Sequence, residues 1–166
     1  MADVVRITGG CQCGAVRYAL RERPRNPDIC HCRMCQKAFG SYFAALAGVP
    51  RDTFELTRGT LATFMSSDEA ERGFCSKCGT PLTFRYVASR EISVSLGSLD
   101  EPAAIKPRKQ VGVEGRMPWF AELCGLPGEK ATEQEVPELA AKIAASNHQH
   151  PDHDTAKWPP HGDTHD

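Results

Sequence analysis

Residues 75–86 read CSKCGTPLTFRY: two cysteines three positions apart, a glycine directly after the second, then a β-prone run ending in Arg-Tyr. The same parts recur at 11–18, CQCGAVRY. A thiol pair followed by a residue that tolerates positive φ lets the backbone wrap a metal ion. Gly14 and Gly79 are therefore expected in that conformation, and the two segments as a pair of zinc knuckles. The repeat is too short for a solenoid.

Working outward, the eight cysteines are Cys11, Cys13, Cys30, Cys32, Cys35, Cys75, Cys78 and Cys124. Their grouping as CxC, CxCxxC and CxxC puts neighbouring thiols on tight turns, which suits convergence on metal better than disulfides to distant partners. The N-terminal MADVVRITGG has no apolar segment preceded by positive charge, and no window approaches the ~18 apolar residues of a membrane span. A soluble, cytoplasmic protein is expected. A formal charge of −1 and 7% aromatic residues give no polyanion-binding surface, so nucleic acid is not an expected partner.

The length of 166 residues suits one domain plus a tail. Runs at Tyr42 to Leu46, Phe54 to Thr57, Leu61 to Met65, Leu82 to Tyr86 and Ile92 to Leu96, most of them punctuated by glycine or proline, read as antiparallel strands. The expected fold is all-β, mainly antiparallel sheets with zinc knuckles, plus a short C-terminal helix. A β domain is expected over 1–130 and a helix packing on it over 131–145. In that helix Thr132 and Glu135 are placed for a capping box ahead of Val136, Leu139, Ala140 and Ile143. From Ser146 to Asp166 the chain has five of its six histidines and reads as a poorly ordered, solvated tail.

Structural zinc is closed by four protein ligands, whereas catalytic zinc keeps three. Cys11, Cys13, Cys75 and Cys78 form a natural structural set that closes a long loop. Cys30, Cys32 and Cys35 remain for a second zinc, with Cys124 the only other thiol to close it. His31 lies between two ligands on an extended turn and should point away from their metal. A zinc with three thiolates acidifies water weakly but suits capture and deprotonation of a soft thiol, which is then a nucleophile for a nearby electrophile. Seven thiolates and two zinc ions would move the formal charge from −1 to −4. Arg33, Lys37, Arg72 and Lys77 are candidates to balance it or to bind carboxylates of a peptide-like thiol.

The ordered segments GGCQCGAVRY, CHCRMCQKAFGS, RGFCSKCGTPL, VSLGSLDEP and RMPWFAELCGLP span Gly9 to Pro127. Together they resemble the glutathione-dependent formaldehyde-activating family, whose domain is shared with centromere protein V. The resemblance implies an all-β, zinc-containing fold of the Mss-four-like kind. It assigns Cys11, Cys13, Cys75 and Cys78 to a structural zinc and Cys30, Cys32 and Cys35 to a catalytic one. It implies a carbon-sulfur lyase that joins glutathione, or a similar thiol, to formaldehyde or another small aldehyde as S-hydroxymethylglutathione synthase does. Where family members carry a histidine and an aliphatic residue ahead of the Pro-Trp stretch, this chain has Gln110-Val111. His31, Arg33, Gln36, Lys37 and Ser41 are substrate-pocket candidates, with Phe39 and Gly40 beside them. The competing reading is a non-catalytic, zinc-stabilised binding module whose second site is closed by Cys124 or a partner.

Overall fold

The computed structural model describes residues 5–157. Strands β1 (Ile7–Gly10), β2 (Arg17–Leu20) and β5 (Phe54–Arg58) form a three-stranded antiparallel sheet in the order β1-β2-β5. The second sheet has seven strands in the order β10-β3-β4-β9-β8-β7-β6. These are β10 (Lys109–Val111), β3 (Arg25–Cys30), β4 (Ala44–Pro50), β9 (Glu91–Ser95), β8 (Pro81–Tyr86), β7 (Ala70–Phe74) and β6 (Ala62–Ser67). All its pairings are antiparallel except β10 with β3, which is parallel. The expected mainly antiparallel β fold is what forms.

The main core joins the two sheets through Tyr18, Leu20, Val49, Leu82, Val94, Leu96 and Leu99, with Cys11 and Cys75 inside it. Tyr18, Leu20 and Leu82 are fully buried. Each such side chain contributes about 1.5–3 kcal/mol of transfer free energy. Buried Tyr18 keeps its hydroxyl satisfied 2.8 Å from Ser98 Oγ, which in turn donates to the Ser95 carbonyl. A smaller cluster of Cys35, Ala44 and Leu46 lies apart from that core, with Cys30, Cys32, Phe39 and Phe84 against it.

Some elements depart from the periodicity reading. β4 begins at Ala44 rather than Tyr42, whose ring lies edge-on to Trp119 at 4.6 Å. β3 escapes the pattern: Asn26 has φ 50° and the register with β4 shifts between Arg25 and Asp28. β7 escapes it because Glu71, Arg72 and Gly73 interrupt its apolar residues. Helix α1 (Arg33–Phe39) follows the CHC turn, capped by Cys32 at its start and stopped by left-handed Gly40 (φ 57°).

The C-terminal region differs from expectation. Its helix is split into α2 (Thr132–Glu135) and α3 (Pro137–Ala145), because Pro137 cannot continue α2. Ala131, not Thr132, occupies the cap position, and no side chain bonds there, so the capping box does not form. α3 buries none of its residues, leaving Leu139 and Ile143 exposed rather than packed on the sheet. The tail, expected to be solvated, instead docks over 150–155. His150 is buried, its amide bonds Gln12 O at 2.7 Å, and Asp154 pairs with Arg17 at 2.8 Å. Its remaining stretch, 158–166, and residues 1–4 lie outside the described residues. Among the described residues no helix is long and apolar enough to cross a membrane.

Candidate metal centres

The two knuckles are built alike. Cys11 N bonds Val16 O at 2.9 Å and Cys75 N bonds Thr80 O at 3.0 Å, each closing a turn over its thiol pair. Gly14 (φ 74°) and Gly79 (φ 76°) take the positive φ expected of them. The four sulfurs of Cys11, Cys13, Cys75 and Cys78 all lie within 4.8 Å of one another. Cys11 Sγ stands 3.6 Å from Cys13 Sγ, which stands 3.8 Å from Cys75 Sγ. These separations exclude disulfides, whose sulfurs sit about 2 Å apart. They match the ~3.8 Å edge of a tetrahedron with metal–sulfur bonds of about 2.3 Å. Burial pushes the Cys11 and Cys13 thiols up, while bonds from Thr80 and the backbone overcome burial at Cys78 and bring it down to about 6. A cation is thus needed before Cys11 and Cys13 carry charge.

The second set is positioned by β3, which ends at Cys30, and by α1. Cys32 Sγ accepts the Cys35 backbone N–H at 3.4 Å, and Cys35 projects from the first turn. The three sulfurs lie within 4.8 Å of one another. Burial pushes Cys30 up to about 12 and also raises Cys35. At Cys32 burial is outweighed by the Cys35 N–H, the neighbouring thiols and the charge of Arg72, and its thiol is lowered. Cys124 is exposed on a 3-10 segment and belongs to neither group.

Among the four sequence-adjacent cations, Arg72 alone is buried. Its Nη2 stands 3.5 Å from Cys35 Sγ and its guanidinium lies over the Phe84 ring at 5.0 Å. Arg33, Lys37 and Lys77 are exposed. The pocket candidates fare differently from one another. His31 is fully buried, its ring edge-on to Phe120 at 4.5 Å and its Nε2 2.9 Å from Gln110 Oε1. Gln36 is a buried staple that donates to His31 O at 2.8 Å and Gly115 O at 2.7 Å. Arg33 bonds Gln36 at 3.2 Å, and Lys37 and Ser41 face solvent. A cavity of about 370 Å³ is lined by Phe39, by Gly79 of the second knuckle and by Arg72, which links it to Cys35, but by none of those five.

The sequence reading missed the segment that closes over the CHC turn. β10 brings Val111 O to the His31 amide at 2.9 Å. A Cβ on Gly112 (φ 60°) would meet Cys32 N at 2.7 Å, and one on Gly115 would meet His31 O at 2.5 Å. The spaced glycines of Gly112-Val113-Glu114-Gly115 were the available signal.

Fold and site together define a β protein with two cysteine clusters that could each hold a metal ion, one inside the core and one beside it. The model of the family described as glutathione-dependent formaldehyde-activating enzyme matches residues 6–114, and the chain belongs to that family. It is 34% identical over 79 residues to an uncharacterized lyase of Schizosaccharomyces pombe, an alignment spanning 47% of this chain and 56% of that relative. The crystal structure of a Rhodobacter sphaeroides protein shares the fold, with a TM-score of 0.52 and 22% identity, covering 63% of this chain and 99% of that one.

Proposed function

We propose that the protein is a zinc-dependent carbon-sulfur lyase that adds a thiol, glutathione or one like it, to a small aldehyde such as formaldehyde. The single observation carrying this reading is the set of three sulfurs at Cys30, Cys32 and Cys35, within reach of one ion and with no fourth Cys, His or carboxylate ligand grouped with them among the described residues. The other set, Cys11, Cys13, Cys75 and Cys78, is complete and stands in the core, which suits a structural zinc. Zinc on the three-thiolate set would supply the Lewis acidity that deprotonates an incoming thiol near neutral pH. Cys32 and Cys35, held by the first turn of α1, fix two ligands on a rigid element. Buried Arg72 offsets the negative charge of the set, and β10 with Gly112 and Gly115 packs closely against the CHC turn. The family description and the relative's name as a lyase agree with this reaction class.

The test is a titration of glutathione into protein carrying cobalt at both sites. The expected result is a change in the ligand-field spectrum that Cys32→Ser abolishes, together with faster hemithioacetal formation than in buffer. No spectral change and no acceleration would leave the protein a zinc-stabilised binding module.

A further inference from the structure

Arg72 is only 8% exposed, and a single sulfur, Cys35 Sγ at 3.5 Å, partners its Nη2. Its Nε and Nη1 have no hydrogen-bond partner among the described residues. Leaving donors of a buried guanidinium unmet costs stability, so they point to a ligand oxygen. Among the described residues, Arg72 is also the one charged residue lining the cavity of about 370 Å³ between α1 and strands β6 to β8. The other walls there include Phe39, Phe64, Phe74, Pro81 and Thr83, and Phe64, 62% exposed, forms part of the rim. Formaldehyde, a single carbon and oxygen, would leave nearly all of this space unfilled.

We propose that this cavity takes the apolar substituent of an aldehyde larger than formaldehyde, and that Arg72 receives the aldehyde oxygen. The inference rests on the thiol-addition reading above. In that reaction a sulfur lone pair forms the C–S bond, the carbonyl π pair moves onto oxygen, and the alkoxide takes a proton from water. The thiol has already released its own proton, so one thiol and one aldehyde give one hemithioacetal. Negative charge thus develops on the oxygen, where a desolvated cation with unmet N–H groups stabilises the transition state more than the neutral carbonyl. A thiol's carboxylate would compete for the same guanidinium. The apolar walls favour a guest that becomes charged only as it reacts.

The experiment uses zinc-loaded protein with glutathione and follows formaldehyde, butanal and hexanal by exchange NMR, dividing each rate by its uncatalysed rate. The enhancement should rise roughly fourfold per buried methylene. Arg72→Gln should lower kcat about 10²–10³-fold while leaving the glutathione KM and zinc content unchanged. Ile143→Ser on α3 serves as the unaffected control. Independently of activity, saturation transfer should show 1-hexanol binding to wild type and not to Phe64→Asp. A flat or falling aldehyde series, no hexanol binding, or an Arg72→Gln effect confined to the glutathione KM would overturn the proposal. Should Arg72→Gln lose zinc or fail to fold, the wild-type series and the hexanol measurement decide alone. Acceleration confined to formaldehyde removes this inference only, whereas no acceleration with any aldehyde removes the thiol-addition reading beneath it.

Discussion

Replacing one ligand in each metal set separates their roles by stability. Cys13 and Cys75 are 62 positions apart, so a metal joining them closes a loop of about that length. Treated as a cross-link, that closure removes unfolded-state entropy worth ~4 kcal/mol, whereas the six-residue loop from Cys30 to Cys35 is worth ~2 kcal/mol. Position in the fold adds to the difference. Cys11 and Cys75 belong to the main core, and the Cys35 cluster stands apart from it. For a chain of this size each kcal/mol shifts Tm by about 2–4 °C. Cys78→Ser should therefore lower Tm by about 8–16 °C, and Cys32→Ser by about 4–8 °C with the fold retained. The assay is thermal unfolding followed by circular dichroism, with zinc counted in each sample by mass spectrometry. Each variant should hold one zinc fewer than wild type. Equal Tm losses, or a larger loss for Cys32→Ser, would refute the division into a core-bracing site and a working one.

Other outcomes follow from charge and backbone geometry. Arg17 and Asp100 form a buried ion pair at 2.6 Å, with Asp154 as a second partner of Arg17. Asp100→Asn should cost about 3 kcal/mol in urea titrations at pH 7, the low end for a broken buried pair because Asp154 remains. Burial alone would raise Asp100, but Arg17 and Thr8 hold it below the usual aspartate value. Its stabilisation is complete above that value and drains away as acid protonates it, so wild type and variant should converge below about pH 4. His150 is held below its ordinary value by burial and by the charges of Arg17 and Arg58. Docking of the tail should therefore be strongest above pH ~6.5 and fade below it, read as faster exchange of the His150 amide at pH 5.5 than at 7.5 after correction for intrinsic rates. Unchanged protection would count against this pH-linked docking. With Cys30 pushed up to about 12, zinc uptake at the second set must release protons. Its apparent affinity should fall about tenfold for each unit by which pH is lowered and each proton released, measured by chelator competition between pH 8 and 6. Gly79→Ala has open space around the new Cβ and should cost only about 1–2 kcal/mol of left-handed strain. Gly112→Ala drives its Cβ into Cys32 and should lose zinc from the second set alone.

The grouping of the thiols was legible in the sequence because CxC, CxCxxC and CxxC each place neighbouring sulfurs by local turns. Gly14 and Gly79 mark where those turns need positive φ. The β class was legible too, since glycine and proline punctuate runs such as 82–86 and 92–96, each of which closely overlaps a strand. Tertiary structure decided the rest, because it depends on residues far apart in the chain. His31 and Gln36 lie beside the ligands in sequence, yet burial under Gln110 and Gly115, some 79 residues away, makes them scaffold. Arg72, one of four cations that looked alike, is singled out only because β7 carries it under Cys35 and over Phe84. The tail shows the same limit: its composition reads as solvated, and the partners that hold it, Gln12, Arg17 and Arg58, come from the opposite end and middle of the chain. Local spelling fixes which thiols share a turn; long-range packing fixes which turns meet and what surrounds them once they do.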